Sequence, residues 1–263
     1  MSVALHGFPW DASSSHARGP ALAPAVIRAV LFSPASSPFS ISGADAREAI
    51  AAYDFADMPE DGGKARDAIE TRIAASLEAR RKPLSLGGDH SVTFPILKAM
   101  AAVHGPLNIL HVDAHTDLYH EYDGDPYSHA CPFARAIEAG CVNTLVQVGL
   151  RCCSPDATAF GKKHGVVMLG ADEADAIPYD RLKGPLYVSI DLDGLDPAFA
   201  PGVSHPEPGG LSTREVLAML KKLPVSPAGA DIVELNPEKD VGLLTAHVAA
   251  RFVKELAVLM AAK

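Results

Sequence analysis

The sequence has few of the features that mark secreted or membrane proteins. It contains only four cysteines, Cys131, Cys141, Cys152 and Cys153, and none of them forms a CxxC pair. We therefore expect reduced thiols rather than disulfides or a structural zinc site. No run of about 18 apolar residues is present, so no transmembrane helix is expected. The N-terminal stretch MSVALHGFPWD also lacks the basic region and apolar core of a signal peptide. These absences predict a cytoplasmic protein without a membrane partner.

Positive charge is also scarce. The chain has 32 acidic and 23 basic residues, a net charge of -9, and no tract rich in lysine and arginine. A nucleic acid is therefore not an expected partner. An acidic surface suits a small cationic substrate, although ordinary solubility explains it more simply.

Apolar strand-like runs alternate with helical patterns along the whole chain. The predicted strands are 50–56, 82–87, 107–113, 144–150, 165–169, 185–191 and 229–235. The predicted helices are about 23–33, 65–81, 92–103, 130–140, 212–222 and 242–262. Nearly continuous hydrophobicity within the strands indicates a sheet covered on both faces. The alternation predicts a parallel α/β sheet, and the absence of linkers predicts a single domain over residues 1–263.

Side chains that can bind metal ions follow four of these predicted strands. The stretches that carry them are GGDH at 87–90, DAHTD at 113–117, DLD at 191–193 and the glutamate Glu234. In parallel α/β sheets, functional sites gather at the carboxyl ends of the strands. If the extended conformation persists after the strand, Asp113, His115 and Asp117 point in the same direction.

So many carboxylates in one place favour a bound cation, because buried carboxylates otherwise repel one another and lose their charge. GGDH alone could be a turn with a capping aspartate, and Asp-x-Asp alone could be a loop. The candidate ligand set within these stretches is four aspartates and two histidines, which suits hard or borderline divalent ions and can neutralise two of them. Its members are Asp113, Asp117, Asp191, Asp193, His90 and His115. Two ions roughly 3.5–4 Å apart activate a shared water, so the pattern predicts hydrolysis.

These motifs resemble those of the ureohydrolases, the family of arginase, agmatinase and formimidoylglutamase. The resemblance extends over essentially the whole chain and includes GGDHS, DAHTD, YSHACPFARAIE, SIDLDGLDPAFAPGVSHPEPGGLSTREVL and GADIVELNPEKD. It implies a three-layer α/β/α sandwich with a mostly parallel sheet of about eight strands. It also implies two Mn²⁺ per chain, a small cationic guanidino substrate, and assembly into homo-oligomers, either trimers or hexamers.

The resemblance further implies a role for each matching residue. One Mn²⁺ would be bound by His90, Asp113, Asp117 and Asp191, and the other by Asp113, His115, Asp191 and Asp193. Asp117 would pass a proton from the attacking water to the leaving amine. His129 would shuttle protons or contact the substrate, and Glu234 would pair with the guanidinium. Structural explanations stay open for the last two, as a surface loop histidine and as a partner in an ion pair.

Two neighbours of these residues have expected supporting roles. We expect His111 to face away from Asp113, as a core histidine or as a group that supports the ligands, and not to bind metal itself. Asp89 is expected to orient ligands or to cap the helix that follows it.

The stretch DLYHEYDGDPYSHACPFARAIEAG, residues 117–140, bears on the substrate. It departs from the animal-type arginase pattern and resembles the agmatinase-related arginases of plants. Its acidic residues Glu121, Asp123 and Asp125 suit a substrate ammonium group, and Arg18 or His16 could bind a carboxylate. We expect hydrolysis of L-arginine to L-ornithine and urea. Agmatine, or another guanidino or formimino compound, is the alternative substrate.

Two other classes of protein remain open at this point. The chain could be a metal-binding pseudoenzyme or assembly protein, although its complete ligand set argues against this. It could also be a single-metal deacetylase of related architecture, but such an enzyme would not need His90 and Asp193 together with Asp117.

Overall fold

The strands of the computed structural model, which describes residues 2–262, lie in one sheet. They are β1 (Val3–Gly7), β2 (Ile50–Phe55), β3 (Lys82–Leu86), β4 (Leu107–Val112), β5 (Val142–Leu150), β6 (Val167–Gly170), β7 (Leu186–Asp191) and β8 (Gly229–Val233). Their order is β2-β1-β3-β8-β7-β4-β5-β6, and each neighbouring pair is parallel. The predicted parallel sheet of about eight strands is confirmed.

Helices cover both faces of this sheet. They are α1 (Ala23–Leu31), α2 (Ala46–Ala49), α3 (Gly62–Glu78), α4 (Thr93–His104), α5 (Pro132–Glu138), α6 (Pro155–Lys163), α7 (Thr213–Lys221) and α8 (Leu244–Ala261). On one face, Ile69 of α3, Ile96 of α4 and Phe133 of α5 share a buried core with the sheet. On the other, Ile27 of α1 and Phe252 of α8 belong to a second core. The result is the three-layer α/β/α sandwich that the resemblance to the ureohydrolases implied.

Three of these elements, β1, the four-residue helix α2 and α6, escaped the sequence prediction. Strand β1 is only five residues long and contains His6 and Gly7, so its apolar run is interrupted, although all five residues are buried. Helix α6 has few apolar residues, but a cap signal was present. Ser154 precedes Pro155, and its side chain accepts a hydrogen bond from the backbone N–H of Ala157 at 3.2 Å.

Four neighbouring strands in the middle of the sheet, β3, β8, β7 and β4, carry the predicted site residues at their carboxyl ends. The N-terminal loop approaches this edge closely at Gly88. A Cβ atom on Gly88 would overlap the carbonyl oxygen of Trp10, which accepts a hydrogen bond from the backbone N–H of Asp89 at 2.8 Å. Glycine at this position therefore lets the loop lie against the site.

None of the helices within residues 2–262 combines the length and apolar character needed to cross a bilayer.

Candidate metal centre

Three carboxylates surround the imidazole of His90. Its Nδ1 atom lies 3.3 Å from Oδ2 of Asp113, 3.0 Å from Oδ2 of Asp117 and 3.1 Å from Oδ2 of Asp191. Although these oxygens are close, Nδ1 is aligned for a hydrogen bond with none of them. The other ring nitrogen, Nε2, lies 2.9 Å from the hydroxyl of Ser189. The ring is thus held with Nδ1 facing the carboxylates.

A second group forms around the imidazole of His115. Its Nδ1 atom lies 3.4 Å from Oδ1 of Asp113 and 3.2 Å from Oδ2 of Asp193. Asp113 therefore takes part in both groups, with one carboxylate oxygen directed to each histidine. The six residues predicted as metal ligands converge in this way on one edge of the sheet.

The backbone after β4 turns instead of staying extended. The strand ends at Val112, and Asp117 has a φ of 49°, in the left-handed region. The prediction that Asp113, His115 and Asp117 point in the same direction assumed that the backbone stays extended after the strand. The backbone does not stay extended, so the alternation of side chains along a strand does not explain how these residues meet. Two hydrogen bonds hold this turn. The N–H of His115 donates to Oδ1 of Asp113 at 2.6 Å, and the N–H of Asp113 donates to the carbonyl of Val148 at 3.1 Å.

Burial and neighbouring charges shift the pKa values of the carboxylates in this cluster in different directions. Burial raises the pKa of Asp193 to about 7, and the charge of Asp113 adds to the effect. Burial also raises the pKa of Asp191 well above its ordinary value, assisted by the charges of Asp193 and Asp113. For Asp113, burial works in the same direction, but the neighbouring His111, His115 and His90 lower its pKa well below the ordinary range. A divalent cation among them would stabilise all three as anions.

The donor atoms fit divalent metal ions. Carboxylate oxygens and imidazole nitrogens, with no thiolate among them, suit ions such as Mn²⁺. Asp113, His115 and Asp193 place one ligand atom each within 4.8 Å of one another, which is close enough for a shared ion. His90 Nδ1, buried and facing three carboxylates without an aligned hydrogen bond, has the surroundings of a metal ligand.

His111 supports this cluster by fixing the position of Asp113. Its Nε2 atom lies 2.8 Å from Oδ2 of Asp113. Gln147 donates from Nε2 to the carbonyl of Thr116 at 2.6 Å, and the same nitrogen lies 3.0 Å from Nδ1 of His111. Because a carbonyl can only accept, the amide orientation is fixed, and the second amide hydrogen is directed at Nδ1. Nδ1 of His111 then accepts from Gln147, and Nε2 of His111 donates to Asp113.

The expectation that His111 faces away from Asp113 is therefore wrong. The two residues are separated by two positions, and side chains two apart along a strand project from the same face. The alternative expectation, that His111 supports the ligands without being one, agrees with its contact to Asp113.

Asp89 joins the centre to the N-terminal loop. Its Oδ1 atom accepts a hydrogen bond from the backbone N–H of Ser91 at 3.1 Å and so caps the short helical turn that leads into α4. Its Oδ2 atom accepts from the N–H of Ser13 at 3.0 Å and from the hydroxyl of Ser14 at 3.2 Å. The capping role expected of Asp89 is present, and the same side chain also anchors the loop over the site.

Glu234 and His129 meet beside the metal-binding residues. Oε1 of Glu234 lies 3.0 Å from Nδ1 of His129 and accepts a hydrogen bond from the backbone N–H of His90 at 2.8 Å. Burial alone would raise the pKa of Glu234 and lower that of His129, but the pair reverses both shifts. The pKa of Glu234 is lowered, and that of His129 is raised to about 9. The contact thus favours an ionised carboxylate next to a protonated imidazole.

A cleft opens onto these side chains, and part of its wall was not predicted. Six of the predicted site residues line it, with Asp117 and Glu234 among them, but so do Ser15, Tyr119, Tyr122 and His205. The hydroxyl of Ser15 lies 2.8 Å from Nε2 of His129. These four residues come from three separate loops, and no spacing in the sequence indicates that they meet. The one available signal was the position of His205 within the long glycine- and proline-rich loop.

The residues expected to recognise the far end of the substrate lie at different places. Asp123 and Asp125 are exposed and line a depression that shares Ser15 and Tyr122 with the cleft. Arg18 is instead engaged by the N-terminal loop, since it donates to Oδ1 of Asp11 at 3.3 Å and to the carbonyl of Ala12 at 3.0 Å. His16 packs beside His205, with 5.6 Å between the ring centroids.

Comparisons with known proteins agree with this site. The family model described as the arginase family matches residues 1–259. Arginase 1, mitochondrial, of Arabidopsis thaliana is 40% identical over 97% of this chain and 80% of its own length. The solved arginase of Medicago truncatula superposes with a TM-score of 0.91 at 37% identity, covering 98% of this chain and 87% of its own. The proclavaminate amidinohydrolase of Streptomyces clavuligerus superposes with a TM-score of 0.89 at 34% identity, covering 99% and 92%.

The same comparisons contradict the expected cytoplasmic location. Several of the curated relatives are named as mitochondrial or chloroplastic arginases. The expectation rested on reduced thiols and on the lack of a secretory signal or apolar span. Those features bear on secretion and membrane insertion, and they do not separate the cytoplasm from an organelle.

Proposed function

This chain belongs to the arginase family of ureohydrolases, enzymes that hydrolyse guanidino groups, and we propose that its substrate is L-arginine, cleaved to L-ornithine and urea. The observation that carries the proposal is the convergence of two carboxylate–imidazole groups on the buried Asp113, beside a cleft lined by His115, Asp191 and Glu234. The names of the relatives, several of which are arginases, favour arginine among the guanidino compounds.

Two Mn²⁺ ions per chain are part of this proposal. His90, Asp113, Asp117 and Asp191 would hold one, and Asp113, His115, Asp191 and Asp193 the other. When bound, such a pair of ions makes water acidic enough to act as a nucleophile at neutral pH. Asp113 has the geometry required of a shared ligand, because its two oxygens face different histidines. For Asp191 the shared role is a prediction, since its Oδ1 accepts the backbone N–H of Asp193 at 2.9 Å.

Glu234 would hold the guanidinium. Its Oε1 atom is fixed by His90 N–H and His129, so the carboxylate enters the cleft in one orientation, and its lowered pKa keeps it ionised. A carboxylate and a guanidinium form charge-assisted hydrogen bonds, and a buried pair positions the central carbon for attack. His129, with its pKa raised to about 9, would carry a proton at neutral pH and would deliver it to the leaving amine. Asp117, in the cleft wall, would move a proton from the attacking water.

The far end of an arginine substrate would meet two carboxylates and an imidazole. Asp123 and Asp125 in the adjoining depression suit the α-ammonium group, and His16 beside His205 suits the α-carboxylate. The acidic depression also favours agmatine, which carries an amine without a carboxylate, as the second candidate substrate.

Metal dependence is the first test of this function. Exhaustive chelation is expected to abolish urea release, and Mn²⁺ is expected to restore it better than Mg²⁺. Full activity in a preparation that metal analysis finds free of divalent ions would contradict the proposal.

Substrate choice requires a separate assay. Urea release from arginine, agmatine and 4-guanidinobutyrate should be measured at equal concentrations with the Mn²⁺-loaded enzyme. The proposal predicts the highest kcat/KM for arginine. A higher value for agmatine would assign the second candidate, and no urea from any guanidino compound would contradict both.

Assembly into homotrimers or hexamers is also proposed, by resemblance to the family. Light scattering coupled to size-exclusion chromatography should give the mass of three or six chains of 27.6 kDa, and a monomer would contradict it.

A further inference from the structure

A second cluster of metal-binding side chains lies beside the cleft, at a place here called its rim, and shares only His115 with the proposed binuclear centre. His115, Cys152 and Glu207 each place one ligand atom within 4.8 Å of the other two, and all three side chains are partly accessible to solvent. Neither Cys152 nor Glu207 has a part in the hydrolysis described above. Their convergence therefore calls for its own explanation.

The backbone holds these three residues together. His115 and Cys152 form an isolated parallel bridge, and the N–H of Cys152 donates to the carbonyl of Ala114 at 3.0 Å. Glu207 is anchored by Arg151, which donates from Nε at 2.9 Å and from Nη2 at 2.6 Å to the Glu207 carbonyl oxygen. The backbone of all three residues is thus held before any ion binds, so binding would order side chains and not the chain itself.

The chemistry of this cluster differs from that of the binuclear centre. A thiolate, an imidazole and a carboxylate form a three-ligand set, and solvent at the rim can supply a fourth ligand. That combination is typical of tetrahedral Zn²⁺, whereas thiolate is a poor ligand for a hard ion such as Mn²⁺. The donor set therefore selects ions that the oxygen-rich centre does not prefer.

We propose that His115, Cys152 and Glu207 form a binding site for a thiophilic divalent ion, Zn²⁺ or the chemically similar Cd²⁺. Binding replaces the thiol proton of Cys152 with a metal–sulfur bond and releases that proton to solvent. Because His115 is also a proposed ligand of the binuclear centre, an ion at the rim competes for its imidazole. Occupancy of the rim site therefore inhibits urea release. The inhibition rests on the proposed function, but the binding does not.

The binding is tested by titrating the full-length Mn²⁺-loaded protein with Cd²⁺, whose bond to a thiolate gives an ultraviolet charge-transfer band. The adjacent Cys153, which is exposed and outside the cluster, provides a matched control. The wild type and Cys153→Ser should show the band with one Cd²⁺ per chain. Cys152→Ser should lose the band and bind Cd²⁺ at least about 10-fold more weakly, and Glu207→Gln should weaken binding while retaining the band. Equal melting temperatures of the variants would show that each still folds.

Several results would overturn the site. These are a band that persists in Cys152→Ser, a band lost only in Cys153→Ser, or saturation of the wild type with Cd²⁺ without any band. A separate arm measures inhibition of urea release by Zn²⁺, which Cys152→Ser should relieve and Cys153→Ser should not. If the wild type releases no urea, the proposed function fails while the Cd²⁺ titration still decides the site. If urea release is normal and Cd²⁺ gives no thiolate band, the site fails while the function stands.

Discussion

Asp113 is the single residue on which the proposed centre depends most, because its two oxygens face two different histidines. Of these two histidines, Asp193 contacts only His115. We expect Asp113→Ala to lose both metal ions and Asp193→Ala to retain one, as measured by metal analysis after gel filtration. Asp123→Ala, which removes an exposed carboxylate of the neighbouring loop, is the control and should retain both. Two tightly held ions in Asp193→Ala would refute its assignment as a ligand.

A substitution at Glu234 tests substrate binding without metal binding, because this residue is proposed to bind the guanidinium and not the metal ions. Glu234→Gln keeps a hydrogen-bond acceptor near His129 but removes the charge that attracts a guanidinium. A charged hydrogen bond is worth roughly 1.5–3 kcal/mol, so kcat/KM should fall about 10- to 150-fold for arginine and agmatine alike. Metal content should not change, and Glu78→Gln, at the exposed C-terminal end of α3, should have little effect on either quantity. Normal turnover by Glu234→Gln would remove this residue from substrate binding while leaving the metal centre intact.

At the level of the elements, the turn after β3 contacts the N-terminal loop so closely that a larger side chain at Gly88 should disturb the contact. An added methyl group on Gly88 would overlap the Trp10 carbonyl. Gly88→Ala should therefore lower the free energy of unfolding by at least about 1–3 kcal/mol, the ordinary cost of overpacking. Gly62→Ala is the matched control, because its nearest neighbouring atoms lie at 3.4 Å or more. Equal unfolding free energies for the two variants, measured with denaturant, would contradict the close approach.

Strand β1 gives the protein a pH-dependent stability that has nothing to do with metal. His6 is buried, with Nε2 2.8 Å from Ser76 Oγ and Nδ1 3.2 Å from Asp54 Oδ2. Burial lowers the pKa of His6 to about 4, against which the attraction of Asp54 acts only in part. The folded state therefore binds its proton less readily than the unfolded chain. The resulting stability is present above about pH 6.5 and is lost as pH falls toward 4.

The wild type should accordingly lose about 2 kcal/mol of unfolding free energy between pH 7 and pH 5 through His6 alone. His6→Gln cannot titrate and should show a pH dependence that is smaller by this amount. Denaturant unfolding at the two pH values measures the difference. Parallel pH dependences for the two proteins would show that His6 is not held neutral in the fold.

The elements also show what the sequence could and could not predict. The segments carrying His90, Asp113, Asp191 and Glu234 were predictable, because each follows an apolar run, and strand ends converge in a parallel sheet. The left-handed backbone of Asp117, with φ 49°, was not, because it depends on how the turn packs. Ser15 and His205 were not predictable as cleft residues either, since only the folded loops bring them to His129.

For the whole molecule, the central feature is that one sheet collects every strand within residues 2–262. We propose on this basis that residues 1–263 form a single ureohydrolase domain, with one site per chain. The net charge of -9 is compatible with a cationic substrate, but selection between arginine and agmatine depends on a few groups at the rim and not on this overall charge.

The most direct test of the account is a crystal structure of the Mn²⁺-loaded protein, with anomalous diffraction used to locate the ions. The account predicts two anomalous peaks roughly 3.5–4 Å apart, one bonded to Nδ1 of His90 and the other to Nδ1 of His115, with Asp113 bonded to both. A single peak, or two peaks that do not share Asp113, would contradict the binuclear centre.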